Sequence, residues 1–430
     1  MVPLVYNSIG MARHTWTAAA ACAAAVLTSF GWMDANPSLF YYHQWLHASS
    51  LRHKIYQNHF QGKTVWIVGA SSGIGEQLAY QVSPYCQRLV LSSRNPTRLQ
   101  QVAKQCQQFR NTASQRQPSV SSGEGGGDEV VVLPLDVTLP AKELEQVVLQ
   151  KLVPMLQQPS SSSKLPPEFS QDAASSGTTT TSGSTSNSGS LLDCVILNAG
   201  QGHLSPVMET DAATTLRMFQ VNALAPIYLT QILLQHGVLY RPPPPPRNDN
   251  NSNKMSRRPQ IVMTSSVGGR MGVPLSATYA ASKHALHGFV SSLQAETSSW
   301  LRIDMLCPGP VETNFFQNQQ QQQQDSSLQD NDKNDDTKNS PLKMPVERCA
   351  ALAMSHMVRP QDGGEAWIAQ QPTLLGMYLQ QYVPGPWNAA LTKSIGPKRL
   401  SLYEQGLDLY DPASWTKKTG ATGTKGQGKK

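Results

Sequence analysis

Charge and apolar residues are both scarce for a globular chain of this length: hydrophobic types make up 39% and charged types 15% of 430 residues. That deficit excludes one uniformly folded body and points to a folded core diluted by polar, Ser-, Gln-, Asn-, Gly- and Pro-rich tracts. A block of basic residues is also missing outside the tail, where Lys417, Lys418, Lys425, Lys429 and Lys430 sit among Gly and Thr. The net charge of +7 is otherwise scattered, so no nucleic-acid partner is expected, and the tail reads as a solvated or membrane-surface segment. The six cysteines, Cys22, Cys86, Cys106, Cys194, Cys307 and Cys349, form no CxxC pair and no Cys/His group at metal-ligand spacing. Free buried thiols and no metal are therefore expected. His284 and His287 flank Lys283, but no third ligand lies near them in sequence.

One long uncharged run is present. Thr15 to Met33 is Ala-rich, lies between Arg13 and Asp34, and is just long enough to span a bilayer. Three readings stay open for it: a signal anchor, a cleaved signal or organelle-targeting peptide, and a soluble capping helix. Leu39 to Phe60 follows as an amphipathic stretch dense in aromatics, with Arg52 and Lys54, of a kind suited to a membrane interface.

From residue 61 the patterning alternates. Apolar runs at Thr64 to Val68, Arg88 to Leu91, Val130 to Leu135, Leu192 to Leu197, Ile261 to Thr264 and Arg302 to Leu306 predict six strands. Helical patterns lie between them at Glu76 to Gln81, Thr97 to Phe109, Glu143 to Leu156, Ala212 to His236 and Thr278 to Ser298. This order predicts an α/β fold: a single Rossmann-type doubly wound parallel sheet with helices on both faces, enlarged by low-complexity loop insertions. The insertions are Asn111 to Asp128, Gln157 to Ser190, Arg241 to Arg258 and Gln317 to Ser340. The expected organisation is a hydrophobic anchor or targeting segment with its amphipathic stretch (1–60), a Rossmann core (61–316), a disordered insertion (317–340), a substrate-cleft or membrane-facing extension (341–412) and a basic disordered tail (413–430). Within the extension, Trp367 to Trp387 is apolar and reads as a lid, a membrane-facing surface or core.

Chemistry enters at the first strand. Gly69, Gly73 and Gly75 in VGASSGIG follow a strand and open a helix, where backbone can approach a pyrophosphate at a helix amino terminus. Gly69, Ser71, Ser72, Gly73, Ile74 and Gly75 are thus candidate cofactor contacts. After the second strand, SSRN puts Arg94 where an acid would be needed to hold a ribose hydroxyl, so a 2′-phosphate, and hence NADP(H), is expected. Asp136 either caps the adenine edge or starts a turn. Ser266, Tyr279 and Lys283, with Asn222 upstream, form the strongest constellation. Tyr279 and Lys283 are four apart on a predicted helix and share a face. A neighbouring ammonium is expected to lower the phenol toward the range useful for proton transfer. Lys283 can also hold the nicotinamide ribose, and Ser266 can donate to an oxygen on which charge develops.

Taken together, GASSGIG, the LNAG of Leu197 to Gly200, QVNALAP, SSVGGRMGVP, YAASKHALHGF and CPGPVET resemble the short-chain dehydrogenase/reductase family across Gly62 to Asn314. The resemblance implies an oxidoreductase in which Asn222, Ser266, Tyr279 and Lys283 form the catalytic tetrad, Asn222 holding a water in a relay from Lys283. It makes Ser266, rather than Ser265, the catalytic serine. By the same resemblance Asn198, Ala199 and Gly200 lie beside the cofactor, and Pro308, Gly309 and Thr313 touch its nicotinamide half. Val68 and Leu197 depart from the family's usual Thr and Asn, so its Thr hydroxyl bond between those two segments is missing.

EAWIAQQPTLLGMYLQQY and SIGPKRL resemble more narrowly a subgroup with an amino-terminal anchor. That likeness implies an endoplasmic-reticulum membrane enzyme that favours NADPH and reduces steroid, retinoid or related hydrophobic carbonyls. A homo-oligomer is compatible with it. Two rivals remain: a cofactor-binding scaffold without turnover, against which the intact tetrad argues, and a lipid-pathway ketoreductase.

Overall fold

The computed structural model describes residues 30–116, 129–158, 191–239, 258–313, 315, 340, 342–361 and 363–416. Seven strands form one parallel sheet: β1 Thr64–Val68, β2 Arg88–Ser92, β3 Glu129–Val132, β4 Cys194–Leu197, β5 Gln260–Thr264, β6 Arg302–Pro308 and β7 Gly364–Ile368, in the order β3-β2-β1-β4-β5-β6-β7. Every pairing is parallel. The order reverses between β1 and β4, where a crevice opens at the carboxyl ends of the strands.

The helices are α1 Pro37–Ala48, α2 Arg52–Phe60, α3 Gly73–Val82, α4 Pro96–Arg116, α5 Ala141–Val147, α6 Val153–Gln157, α7 Ala212–Phe219, α8 Ala225–Gln235, α9 Ala277–Thr297, α10 Val346–Met357, α11 Thr373–Tyr382, α12 Pro384–Ala390, α13 Gly396–Glu404 and α14 Pro412–Thr416. Alternation along β1 assigns them to two layers. Val65 and Ile67 join a core with Leu39, Phe60, Leu78, Leu99 and Leu352, while Trp66 and Val68 join one with Leu144, Leu229, Leu286 and Val290. Successive side chains of a strand point to opposite faces, so a strand buried on both sides needs an unbroken apolar run.

The six strands expected from the sequence are present, with β3 ending at Val132 rather than Leu135. The seventh, GEAWI, was not expected. Its Gly364 and Glu365 interrupt the apolar run, and Trp367 and Ile368, read above as lid, membrane-facing surface or core, pair with Cys307 and Pro308 inside the sheet. Two helices read as continuous contain a π turn, Val148–Leu152 after α5 and Gln220–Leu224 after α7.

Leu39 to Phe60 forms α1 and α2 and contributes to the core: Leu39, Leu46, Tyr56 and Phe60 are buried, and His43 Nδ1 lies 2.8 Å from Ser355 Oγ on α10. Trp32, Tyr41 and Trp45 remain exposed. Most of Thr15 to Met33 lies outside the described residues, and among the described ones no helix is long and apolar enough to cross a membrane. The insertions and the basic tail likewise lie mainly outside them. At its start, however, the tract from Asn111 continues α4 as far as Arg116, and Ser340 at the end of another is buried.

Candidate active site

The strand–loop–helix turn after β1 is built on absent side chains. Gly69 adopts φ +88°, and a Cβ there would lie 2.5 Å from Ala199 N. A Cβ on Gly75 would collide with the Gly69 carbonyl. Gly73, at φ +60°, begins α3 beneath the Thr313 side chain. Backbone can therefore come close to a ligand at this helix terminus. Although Val68 supplies no hydroxyl, Asn198 Nδ2 donates to Gly69 O at 3.1 Å, and Thr264 Oγ1 donates to Asn198 Oδ1 at 3.0 Å. The loop is thus tied to β4 and β5 by the asparagine that follows Leu197, which offsets the missing threonine bond.

Gly69, Ser71, Ser72, Gly73, Ile74, Arg94, Asn198, Ala199, Gly200, Pro308, Gly309 and Thr313 all line one cleft of about 2550 Å³. Gly75 packs behind it. Asp136 does not line it, although its neighbours Leu135 and Val137 do: Asp136 Oδ1 accepts from Thr138 N at 2.9 Å and Thr138 Oγ1 at 2.8 Å, the geometry of a turn starter. Arg94 is exposed at the cleft rim. Sequence reasoning missed Arg98, one turn along, whose Nε donates to Ser71 O at 3.2 Å while Nη2 pairs with Glu76. It braces the glycine loop from outside, a role set by the packing of α3 on α4 and invisible in local pattern.

On the floor of the cleft β5 delivers Ser266 and α9 delivers Tyr279 and Lys283. Ser266 Oγ accepts from Gly268 N at 3.1 Å and lies 3.3 Å from Pro308 O. A Cβ on Gly268 would sit 3.3 Å from the Tyr279 ring and 3.6 Å from Ser266 Oγ, so hydroxyl and phenol meet across a glycine. Ser265 Oγ instead turns into the protein, near His287, without a hydrogen-bond partner.

Burial pushes Tyr279 up to about 12, against a lowering hydrogen bond from Ser266 and with Tyr410 adding to the rise. This corrects the expectation that the ammonium governs the phenol: Lys283 Nζ donates to Thr264 O at 2.8 Å, and its own burial lowers it to about 8. Desolvation outweighs the charge here. Asn222 lies in the π turn after α7, a distortion common at functional positions. Its amide clasps the Gln201 backbone in both directions at 2.8 Å. A Cβ on Gly200 would lie 3.5 Å from Asn222 Oδ1 and 3.7 Å from Lys283 Nζ, so the two polar ends face one small volume.

Behind Ser265 the fold gathers groups that are distant in sequence. His287, Cys307 and Glu365 place potential ligand atoms within 4.8 Å of one another, so His287 does have two such neighbours, contrary to the sequence expectation. Glu365 is already engaged by Arg270, by His287 Nδ1 at 3.1 Å and by Trp367 Nε1 at 3.0 Å, which hold its carboxyl down to about 2. The cluster is a neutralised polar plug between β6, β7 and α9.

A family model described as short chain dehydrogenase matches residues 175–324. Dehydrogenase/reductase SDR family member 7 of Homo sapiens is 29% identical over 348 residues, 80% of this chain and 80% of that protein. Its Mus musculus counterpart is 28% identical over 357 residues, 82% and 83% of the two chains. The chain is thus similar to short-chain dehydrogenase/reductases over most of its length. The likeness is to oxidoreductases with an NAD(P)-binding Rossmann fold that act on small substrates. Among solved structures it is similar to a short-chain dehydrogenase/reductase from Burkholderia phymatum in complex with NAD, at 17% identity and TM-score 0.48, covering 82% of this chain and 98% of that one. The residues present suit a dinucleotide: the side-chain-free cradle at Gly69 and Gly73, the open start of α3, the guanidinium of Arg94 and the ammonium of Lys283.

The far side of the cleft comes from α11 to α14. Leu375, Leu379, Trp387, Leu391 and Ile395 face it from this carboxy-terminal extension, and Met271 from the loop after β5. The sequence expectation for this region is a substrate-cleft or membrane-facing extension over 341–412, with Trp367 to Trp387 as its apolar part.

Proposed function

We propose that the chain is an NADP(H)-dependent reductase of hydrophobic carbonyl compounds, steroid, retinoid or similar, in which Tyr279 is the proton donor. The observation that carries this reading is the meeting of Tyr279 and Ser266 across Gly268 on the floor of a cleft whose outer wall is apolar. A bound nicotinamide supplies the hydride. Ser266 Oγ and Tyr279 Oη hold the substrate oxygen, and Tyr279, kept protonated by burial, gives it a proton as charge develops. Lys283, anchored on Thr264 O, presents its ammonium to the cofactor ribose and to the proton path that Asn222 borders. Arg94 takes the 2′-phosphate, which favours NADPH over NADH.

In this reading residues 61–316 carry the cofactor and the tetrad, 341–412 shape the substrate side, and 317–340 and 413–430 are accessory. Residues 1–60 attach the enzyme to the endoplasmic-reticulum membrane, a placement supported by the exposed Trp32, Tyr41 and Trp45 next to the Ala-rich run.

The test is turnover by the purified full chain of a panel of steroid, retinal and quinone carbonyls with NADPH and with NADH. NADPH oxidation with at least one hydrophobic ketone is expected. Tyr279→Phe is expected to lower kcat by about 10²–10⁴-fold with NADPH affinity held within a few-fold. Full turnover by that variant, or no turnover of any carbonyl by the parent protein, defeats the reading.

A further inference from the structure

The apolar wall of the cleft contains one buried cation. Arg399, on α13, is 8% exposed and lines the cleft. Its Nε donates to Pro274 O at 3.1 Å, Nη2 reaches Tyr410 Oη at a long 3.5 Å, and the guanidinium stands 5.4 Å from the Tyr410 ring centroid. Those are neutral partners for a group with five N–H donors. No carboxylate pairs with Arg399 among the described residues. The acids lining the cleft are Glu209, Asp211, Glu312, Glu347 and Asp408; Asp211 Oδ1 accepts from Thr214 N at 2.6 Å and Asp408 Oδ1 from Tyr410 N at 2.8 Å. Lys343 Nζ adds a second positive charge, 5.2 Å from the same Tyr410 ring.

A buried guanidinium without an anion is costly, and proteins seldom keep one unless something else completes it. The position of Arg399 indicates what that is. Pro274 lies five residues before Tyr279, on the substrate side of the cleft and away from the Arg94 end. Tyr410 is near enough to Tyr279 to act on its phenol electrostatically. Leu204, Leu407 and Leu409 line the same cleft as Tyr279 and Arg399, so a ligand reaching from Tyr279 to α13 has an apolar surface beside that guanidinium.

We propose that the cleft takes hydrophobic carbonyl compounds that also carry an oxyanion, a carboxylate or a phosphate ester, which pairs with Arg399. This rests on reading the cleft as the substrate site of a carbonyl reductase. A planar fork of donors matches either anion, and Lys343 adds to the attraction.

Binding, rather than turnover, tests it, so a failed reductase reading and a failed anion site can be told apart. Decanoate, decyl phosphate and methyl decanoate are titrated by calorimetry into the full chain saturated with NADPH, which blocks the cofactor's own phosphate positions. At least one anion is expected to bind about tenfold or more tightly than the ester, and which one it is distinguishes carboxylate from phosphate. Arg399→Met is expected to bring anion and ester to similar affinity, and Arg399→Lys to keep part of the preference. Equal binding of all three by the parent protein overturns the proposal, as does an unchanged anion preference in Arg399→Met. Should Arg399→Met fail to fold, the parent comparison and Arg399→Lys decide. Anion preference without oxidation of NADPH by any carbonyl would sink the reductase reading alone.

Discussion

Burial sets the protonation of the two central side chains in opposite directions. The Tyr279 phenol at about 12 remains protonated throughout the neutral range, and the Lys283 ammonium at about 8 is lost on mild alkalinisation. If Lys283 acts as a cation, kcat/KM for carbonyl reduction is expected to be flat at neutral pH and to fall as pH rises through about 8; a profile still flat at pH ~10 would refute that role. Arg94 can be tested through cofactor choice. Arg94→Asp removes a charge-assisted contact and adds repulsion, so the NADPH to NADH ratio of kcat/KM is expected to drop by about 10–100-fold. An unchanged ratio would transfer the role to Arg98. These residue identities were legible because each lies at a fixed place after a strand or on one helical turn. Arg98, Thr264 and Arg399 were not, since each acts through an element far away in the chain.

Among the elements, the glycines of α3 and α9 give opposite forecasts from one geometry. A Cβ on Gly75 meets the Gly69 carbonyl, whereas one on Gly288, exposed on α9, meets nothing within 4 Å. Gly75→Ala is therefore expected to weaken NADPH binding at least tenfold and to lower the melting temperature. Gly288→Ala should raise stability by about 0.5–1 kcal/mol with NADPH affinity unaltered. Equal behaviour of the two variants in thermal melts and cofactor titration would contradict the packing of the loop. A second element-scale feature is Asp304, fully buried in β6 between Arg302, Gln260 Nε2 at 2.6 Å and His356. These partners hold its folded pKa at about 2, below the unfolded value of ~3.9. The stabilisation is complete above that unfolded value and is lost as pH falls from there toward about 2. Asp304→Asn should destabilise by about 3–5 kcal/mol, read by denaturant melts at pH 7. Six strands could be read because a doubly covered sheet demands continuous apolar runs. β7 escaped because, at the sheet edge, Gly364 and the ion-paired Glu365 suffice. The π turns escaped because a single extra residue hardly disturbs helical periodicity, although one of them orients Asn222.

For the whole molecule, the unequal sizes of the hydrophobic clusters matter. The sheet and its flanking helices form two large clusters, while Leu275, Leu402 and Leu409 form a small separate one that joins α13 and the segment after it to the loop before α9. A satellite cluster of three buried side chains can open without unfolding the sheet, and parts of a protein with few buried contacts are those that move. The part of the substrate wall from α13 onward is therefore expected to open separately from the cofactor wall. Leu402 is fully buried in that cluster, so Leu402→Ala removes about 2–5 kcal/mol of packing from it. The loss is expected to appear as opening of the extension: faster proteolysis within 391–416, a KM for hydrophobic ketones raised several-fold, and NADPH affinity within a factor of about two. If Leu402→Ala instead lowers the melting temperature of the entire protein and weakens NADPH binding in step, the extension and the sheet unfold as one unit. The cleft would then lack an independently moving wall.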